Sequence, residues 1–313
     1  MIEKNTDKWE VDLTVDLGKL KLKNPLFSAS GTFGYGDELK GIINPDELGA
    51  ICTKSITPKA REGNPAPRIA ELDYGMLNSI GLANVGLRSF IADKMPYLAE
   101  LSTNVIVNVA GFSIDDYLEV VIALESEKGI DGYEINISCP NVDGGLEFGS
   151  SAKSAEELTK RIRKETERFL MVKLSPNVTD ISEIAKAVEG AGADSISLIN
   201  TLVGMEVDIN SELPLLQRKK GGYSGPGIKP VALAMVNSVY QNVKIPVVGI
   251  GGIMNASDVV QFMLVGATAV QLGTTNFINP ESFSDILDDL INIAESKGLR
   301  NISDLTGRLK EWE

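Results

Sequence analysis

Short apolar runs alternate with helical periods about eight times along this chain, and that rhythm constrains its fold more than any other feature. Strand-like runs lie at residues 25–30, 50–55, 104–109, 134–139, 169–174, 195–199, 245–250 and 268–272. Helical patterns fall between them. One opens near Ser113, one carries Ala155, Leu158 and Ile162, and one sets Ile181, Ile184, Ala185 and Val188 at i, i+3, i+4, i+7 spacing. Others span residues 229–240, a segment capped by Asn255 with Val259, Val260, Met263 and Leu264 inward, and a terminal stretch at 283–294. The alternation predicts an α/β chain folded as a (β/α)8 TIM barrel, a single domain over residues 1–313 with no linker to divide it. Residues 11–22 alternate about Gly18 and predict an N-terminal β-hairpin cap. Residues 57–67, 78–82, 141–151 and 203–223 lack a clear period, and inserted loops are expected at the C-terminal face. An open doubly wound sheet is the alternative, but no strand here runs into a G-x-G-x-x-G turn.

Residue usage removes several chemistries. There is no histidine, and the cysteines are Cys52 and Cys139 alone, so His-based triads, His metal sites and clusters held by four of the chain's own thiolates are excluded. A net charge of −13 argues against a nucleic-acid partner and requires any anionic ligand to be met by local donors. Residues 1–16 are polar with no signal-peptide core, and no apolar run is long enough to cross a bilayer; the expectation is a cytoplasmic protein with no membrane contact.

In a barrel, chemistry gathers where strands end at their C-termini. Lys54, Asn108, Asn136, Lys173 and Asn200 all fall there. Tyr133, Ile135 and Ile137 alternate with Glu134, Asn136 and Ser138, and Pro140 predicts that this strand stops at Cys139. A thiol at the mouth is a candidate for taking a proton from substrate; a buried inert cysteine is the other reading, and it is the one that suits Cys52. The adjacent turns at Gly249-Ile250-Gly251-Gly252 and Leu272-Gly273-Thr274 predict a phosphate site, since glycine lets backbone N–H groups approach an anion.

The run Asn136-Ile137-Ser138-Cys139-Pro140-Asn141-Val142 resembles the signature of the dihydroorotate dehydrogenases, flavin enzymes of pyrimidine synthesis. So do Ala29-Ser30-Gly31-Thr32-Phe33-Gly34, Asn78-Ser79-Ile80-Gly81-Leu82, Val172-Lys173-Leu174-Ser175-Pro176-Asn177 and Ser224-Gly225-Pro226-Gly227-Ile228-Lys229-Pro230, from about residue 12 to residue 292 and in the family's order. Cysteine at the base position is similar to class 1. Phe148-Gly149 and the 224–230 segment look most like the class 1B catalytic subunit. That resemblance implies one FMN per chain and a homodimer core. It also implies a partner subunit carrying FAD and a [2Fe–2S] cluster, which completes a heterotetramer and passes electrons to NAD. Class 1A, which uses fumarate, is the alternative. The apolar extension of quinone-linked class 2 has no counterpart in residues 1–16. A different FMN-barrel pyrimidine reductase, a tRNA-dihydrouridine reductase or a non-catalytic phosphate-binding barrel are more distant readings.

The resemblance also implies roles. Cys139 is the base that takes the C5 proton of dihydroorotate, while hydride leaves C6 for the flavin. Lys54, Asn78, Ser79, Ile80, Gly81, Leu82, Asn136, Asn200 and Thr201 hold substrate, amides suiting a ring with both donors and acceptors. Ser30, Lys54, Ser55, Asn108, Asn136, Lys173, Ile199 and Gly225 contact the flavin, Lys173 at the edge where charge accumulates on reduction. Gly251, Gly252, Gly273 and Thr274 hold its phosphate. Residues 141–151 are a candidate lid with Gly144, Gly145 and Gly149 as hinges, an ordinary flexible loop being the other reading.

Overall fold

The computed structural model describes residues 10–138 and 148–312. Eight parallel strands close into a barrel in chain order: β1 Leu26–Ser28, β2 Ala50–Cys52, β3 Asn104–Val109, β4 Gly132–Asn136, β5 Phe169–Lys173, β6 Ser195–Leu198, β7 Val247–Ile250 and β8 Ala269–Leu272. β8 pairs with β1, Gln271 opposite Phe27, and completes the ring. The strands are buried on both faces, which is why they read as apolar runs rich in Val and Ile. Side-chain caps start the outer helices. Ser113 accepts from Asp116 N before Ile114–Leu124, Asp180 from Ser182 N before Ile181–Gly190, and Asn255 from Asp258 N before Ala256–Leu264. The barrel and its hairpin cap are thus as the sequence predicts.

The hairpin, Val15–Asp16 against Lys21–Leu22, closes the N-terminal end. Leu17 and Leu22 are buried, Asn104 at the start of β3 bonds Lys21 O (3.2 Å), and Lys19 pairs with Asp194 just before β6 (3.3 Å).

The opposite end carries an element that periodicity did not reveal. The excursions after β2 and β6 meet in a four-stranded antiparallel sheet, in the order Leu202–Gly204, Gly221–Ser224, Gly75–Asn78, Ile69–Leu72. Its side chains are half exposed, so no apolar pattern marks it. The sheet brings Asn78 opposite Gly222. Only glycine fits there, because a Cβ on Gly222 would lie 2.0 Å from Thr201 Oγ1. A second difference is the end of β4, which is Asn136 rather than Cys139. The Asn136 side chain accepts from Ser138 N (3.3 Å), a turn that competes with the ladder before Pro140 is reached.

Candidate active site

A cavity of about 310 Å³ opens at the C-terminal mouth, beneath the antiparallel sheet. Strand ends position its polar lining. Asn136 and Lys173 are the last residues of β4 and β5, and each sits opposite the other in register. Lys54 follows β2, held by its N–H to Gly34 O (2.8 Å). Asn200 follows β6, its N–H bonded to Leu174 O (3.1 Å). Gly251 and Gly252 follow β7, and Gly273 and Thr274 follow β8. Ser30, Ser55, Ile199, Thr201 and Gly225 complete the inner wall, while Asn78, Ile80, Gly81 and Leu82 supply the outer one.

Two expected residues are elsewhere. Ser79 is buried behind the wall, where its hydroxyl accepts from Asn64 Nδ2 (2.8 Å). Asn108 lies wholly buried below the cavity floor, since it belongs to β3 itself rather than to the loop beyond it. Cys139, with Gly144, Gly145 and the rest of residues 141–147 of the expected lid, falls outside the described residues. Phe148 and Gly149 are described and buried. Phe148 packs edge-on against Tyr117 (5.8 Å between centroids), and a Cβ on Gly149 would lie 2.4 Å from Ile137 O. Arg68, Met76 and Phe277 also line the cavity and were not anticipated; Arg68 and Met76 stand on or beside the unforeseen sheet.

Hydrogen bonds tie the amides into one frame. Asn200 Nδ2 donates to Ser138 Oγ (2.8 Å), and Ser138 Oγ donates to Asn136 Oδ1 (2.9 Å). Tyr117 Oη donates to the Asn136 carbonyl (2.8 Å) from the helix behind β4. Ser138, the residue before Cys139, is therefore fastened from both β4 and β6. Asn78 Nδ2 donates to Gly222 O (3.2 Å), and Thr201 N to Asn200 Oδ1 (2.8 Å).

Two cations face this frame. Burial lowers the Lys54 pKa from its ordinary value, with Glu38 opposing and Arg68 adding to the effect. Lys173 is 5% exposed and donates to Ser30 Oγ (3.5 Å). Below them is a carboxylate the sequence reading passed over. Glu134 on β4 is wholly buried and accepts from Cys52 Sγ (3.1 Å), Asn108 Nδ2 (2.6 Å), Ser197 Oγ (2.7 Å) and Gln271 Nε2 (2.6 Å). Burial pushes its pKa up, but the Lys173 charge and these donors outweigh that and hold the carboxyl below its usual range. Cys52 is the core residue expected, yet its thiol is committed to that carboxylate; burial, then Glu134, push its pKa well up.

At the far end of the cavity, Asp258 braces the glycine turn. It accepts from Met254 N (2.9 Å) and pairs with Lys229 (2.5 Å). The mouth thus combines amide donors and acceptors, two ammonium groups and two glycine turns around one space. That set can orient a planar anion and hold a phosphate. Among the described residues, no group of His, Cys, Asp and Glu side chains is arranged to hold a metal ion.

Comparison with known proteins agrees with this geometry. The family model described as dihydroorotate dehydrogenase matches residues 12–294. The chain is similar to proteins named dihydroorotate dehydrogenase B (NAD(+)), catalytic subunit. Those of Trichlorobacter lovleyi and Geotalea uraniireducens are each 48% identical over 299 residues, 95% of this chain and 98% of the relative. That of Bacteroides thetaiotaomicron is 48% identical over 300 residues, 96% of this chain and 99% of the relative.

Proposed function

This chain belongs to the dihydroorotate dehydrogenase family, and from that premise we infer that the mouth cavity is where dihydroorotate is oxidised. The protein is an FMN-dependent oxidoreductase of pyrimidine biosynthesis, NAD-linked through a partner subunit. The observation that carries the site assignment is the convergence of Lys54, Asn78, Asn136 and Asn200 on one cavity that also holds Lys173 and both glycine turns.

The residues present fit FMN. Gly273 is the informative one: its φ is not left-handed, and a Cβ there would come no nearer to protein than 3.6 Å, at Ala29 Cβ. The fold does not require glycine at this position; a phosphate approaching the backbone does. Held there, FMN would supply the acceptor for the hydride that leaves C6 of the substrate. Cys139 takes the C5 proton onto sulfur, so that proton and hydride together account for the two hydrogens lost. Lys54 meets the substrate carboxylate, and Asn78, Asn136, Asn200 and Thr201 hold its ring carbonyls and N–H groups. Ser79, behind the wall, supports the loop that carries Ile80, Gly81 and Leu82. Lys173 favours the electron-rich flavin, and Ser30, Ser55, Ile199 and Gly225 line the flavin's side of the space. Gly251, Gly252, Gly273 and Thr274 hold the phosphate. The chain acts as one FMN-binding domain in the cytoplasm, as a homodimer core joined in a heterotetramer to electron-transfer subunits that each carry FAD and a [2Fe–2S] cluster.

Purified protein is expected to be yellow and to bleach anaerobically with dihydroorotate. A colourless protein that takes up no FMN refutes the reading. Isolated from its partner, it should turn over slowly with fumarate; rapid fumarate turnover would replace the NAD-linked assignment. Gly273→Ala should fold with an unchanged melting temperature yet bind FMN about tenfold more weakly or worse, a loss of about 1.4 kcal/mol. Equilibrium titration of the apoprotein with FMN checks this, and wild-type affinity would remove Gly273 from the phosphate site.

A further inference from the structure

The interior of a closed eight-stranded barrel is ordinarily filled by bulky apolar side chains. Here one layer below the mouth is polar. Glu134 on β4 collects hydrogen bonds from Cys52 on β2, Asn108 on β3, Ser197 on β6 and Gln271 on β8, and all five side chains are wholly buried. Gln271 turns its N–H toward the carboxylate although this leaves its own Oε1 buried without a partner. A layer of leucine and valine would hold the barrel at lower cost than a buried carboxylate. The node faces the cavity by two routes. Lys173 on β5 is buried at the cavity wall and stands opposite Asn136, which shares the inward face of β4 with Glu134 two residues before it. Asn108 gives its N–H to Glu134 and so presents Oδ1 to Ser55 Oγ (2.5 Å). With its proton committed to Asn108, the Ser55 hydroxyl meets the cavity as an acceptor.

We propose that Glu134 is a positioning residue for the flavin reaction: it is the internal counter-charge of Lys173 and the anchor of the Asn108–Ser55 relay, and it sets how strongly the site favours reduced flavin. This rests on the FMN reading above. A fixed negative charge in the barrel core opposes the charge that reduction adds, and it offsets the ammonium that welcomes it. Neutralising Glu134 leaves Lys173 uncompensated on the flavin side.

The test is the midpoint potential of bound FMN in the holoenzyme, measured by spectroelectrochemistry for wild type and Glu134→Gln. The variant should bind FMN and shift the potential to more positive values. An unchanged or more negative potential, with or without a lower melting temperature, overturns the proposal and leaves Glu134 a structural residue. If Glu134→Gln does not fold alone, the apoprotein melt of Glu134→Gln/Lys173→Met decides. Paired neutralisation should melt above Lys173→Met, and a double variant that melts no higher refutes the pairing. Wild-type protein that binds no FMN would count against the function assigned above, whereas the apoprotein melts test the Glu134–Lys173 pairing in either case.

Discussion

Cys139→Ala should leave FMN bound and slow anaerobic reduction of the flavin by dihydroorotate roughly 10²–10⁴-fold, the range that a positioned general base contributes. The role proposed for the thiol rests on the resemblance over residues 136–142, and its chain neighbour Ser138 is held in a fixed frame. Ser138 is fixed by Asn136 from one strand and by Asn200 from another, and both amides line the cavity. Alanine removes the proton acceptor but touches neither of those bonds nor the glycine turns, so cofactor affinity and melting temperature should hold. Thiols titrate near pH 8.5, so wild-type reduction should accelerate with pH as the thiolate forms. Cys139→Ser should be slow at neutral pH and lose that rising limb below pH 9, because a hydroxyl gives up its proton far less readily. Stopped-flow flavin bleaching measures both effects. A reduction rate within a few-fold of wild type in the alanine variant would take Cys139 out of the mechanism.

The sequence made the barrel readable and the sheet above it unreadable, for physical reasons. Asn104–Val109 is buried on both faces, so its run of β-branched residues announces it. Gly75–Asn78 and Ile69–Leu72 lie partly in solvent, and Asn78 finds its partner Gly222 only 144 positions away. No local period encodes such a pairing. The turns after β7 and β8 were legible as glycine: Gly251 and Gly252 take left-handed backbone that glycine adopts freely, and both turns line the cavity. Asn108 was legible as a polar residue near a strand end, but depth along a strand is not in the pattern, and Asn108 lies wholly buried within β3. Glu134 had a signal that went unused. The two-residue period that set Asn136 on the inward face sets Glu134 there too. Ser197 and Gln271 repeat the case: polar residues inside fully buried strands, costly unless they find a partner, which Glu134 supplies.

Lys173→Met should have the largest effect on stability, and its pH dependence should run opposite to that of the wild-type carboxyl. In wild type the Glu134 pKa lies below its unfolded value of 4.5, so the carboxylate contributes stability that is fully present above that pH and lost as the pH falls through the folded pKa. Removing the ammonium deletes the largest influence that opposes burial, and the remaining hydrogen bonds must hold an uncompensated charge in a wholly buried site. Breaking a contacting buried pair from one side costs about 3–5 kcal/mol, and that figure is the ceiling here. For a domain of 313 residues that ceiling is a fall of about 5–8 °C in melting temperature near pH 8. The folded carboxyl pKa then rises above the unfolded one. As the pH drops through that raised value, the native state takes up a proton before the unfolded state does, and the variant regains stability relative to wild type. The gap between apoprotein melting temperatures should therefore narrow from roughly pH 8 to pH 5.5, within the range open to buried carboxyl groups. Parallel curves over that interval would mean that Lys173 and Glu134 do not balance each other, and that the Lys173 cation is carried by the surrounding dipoles alone.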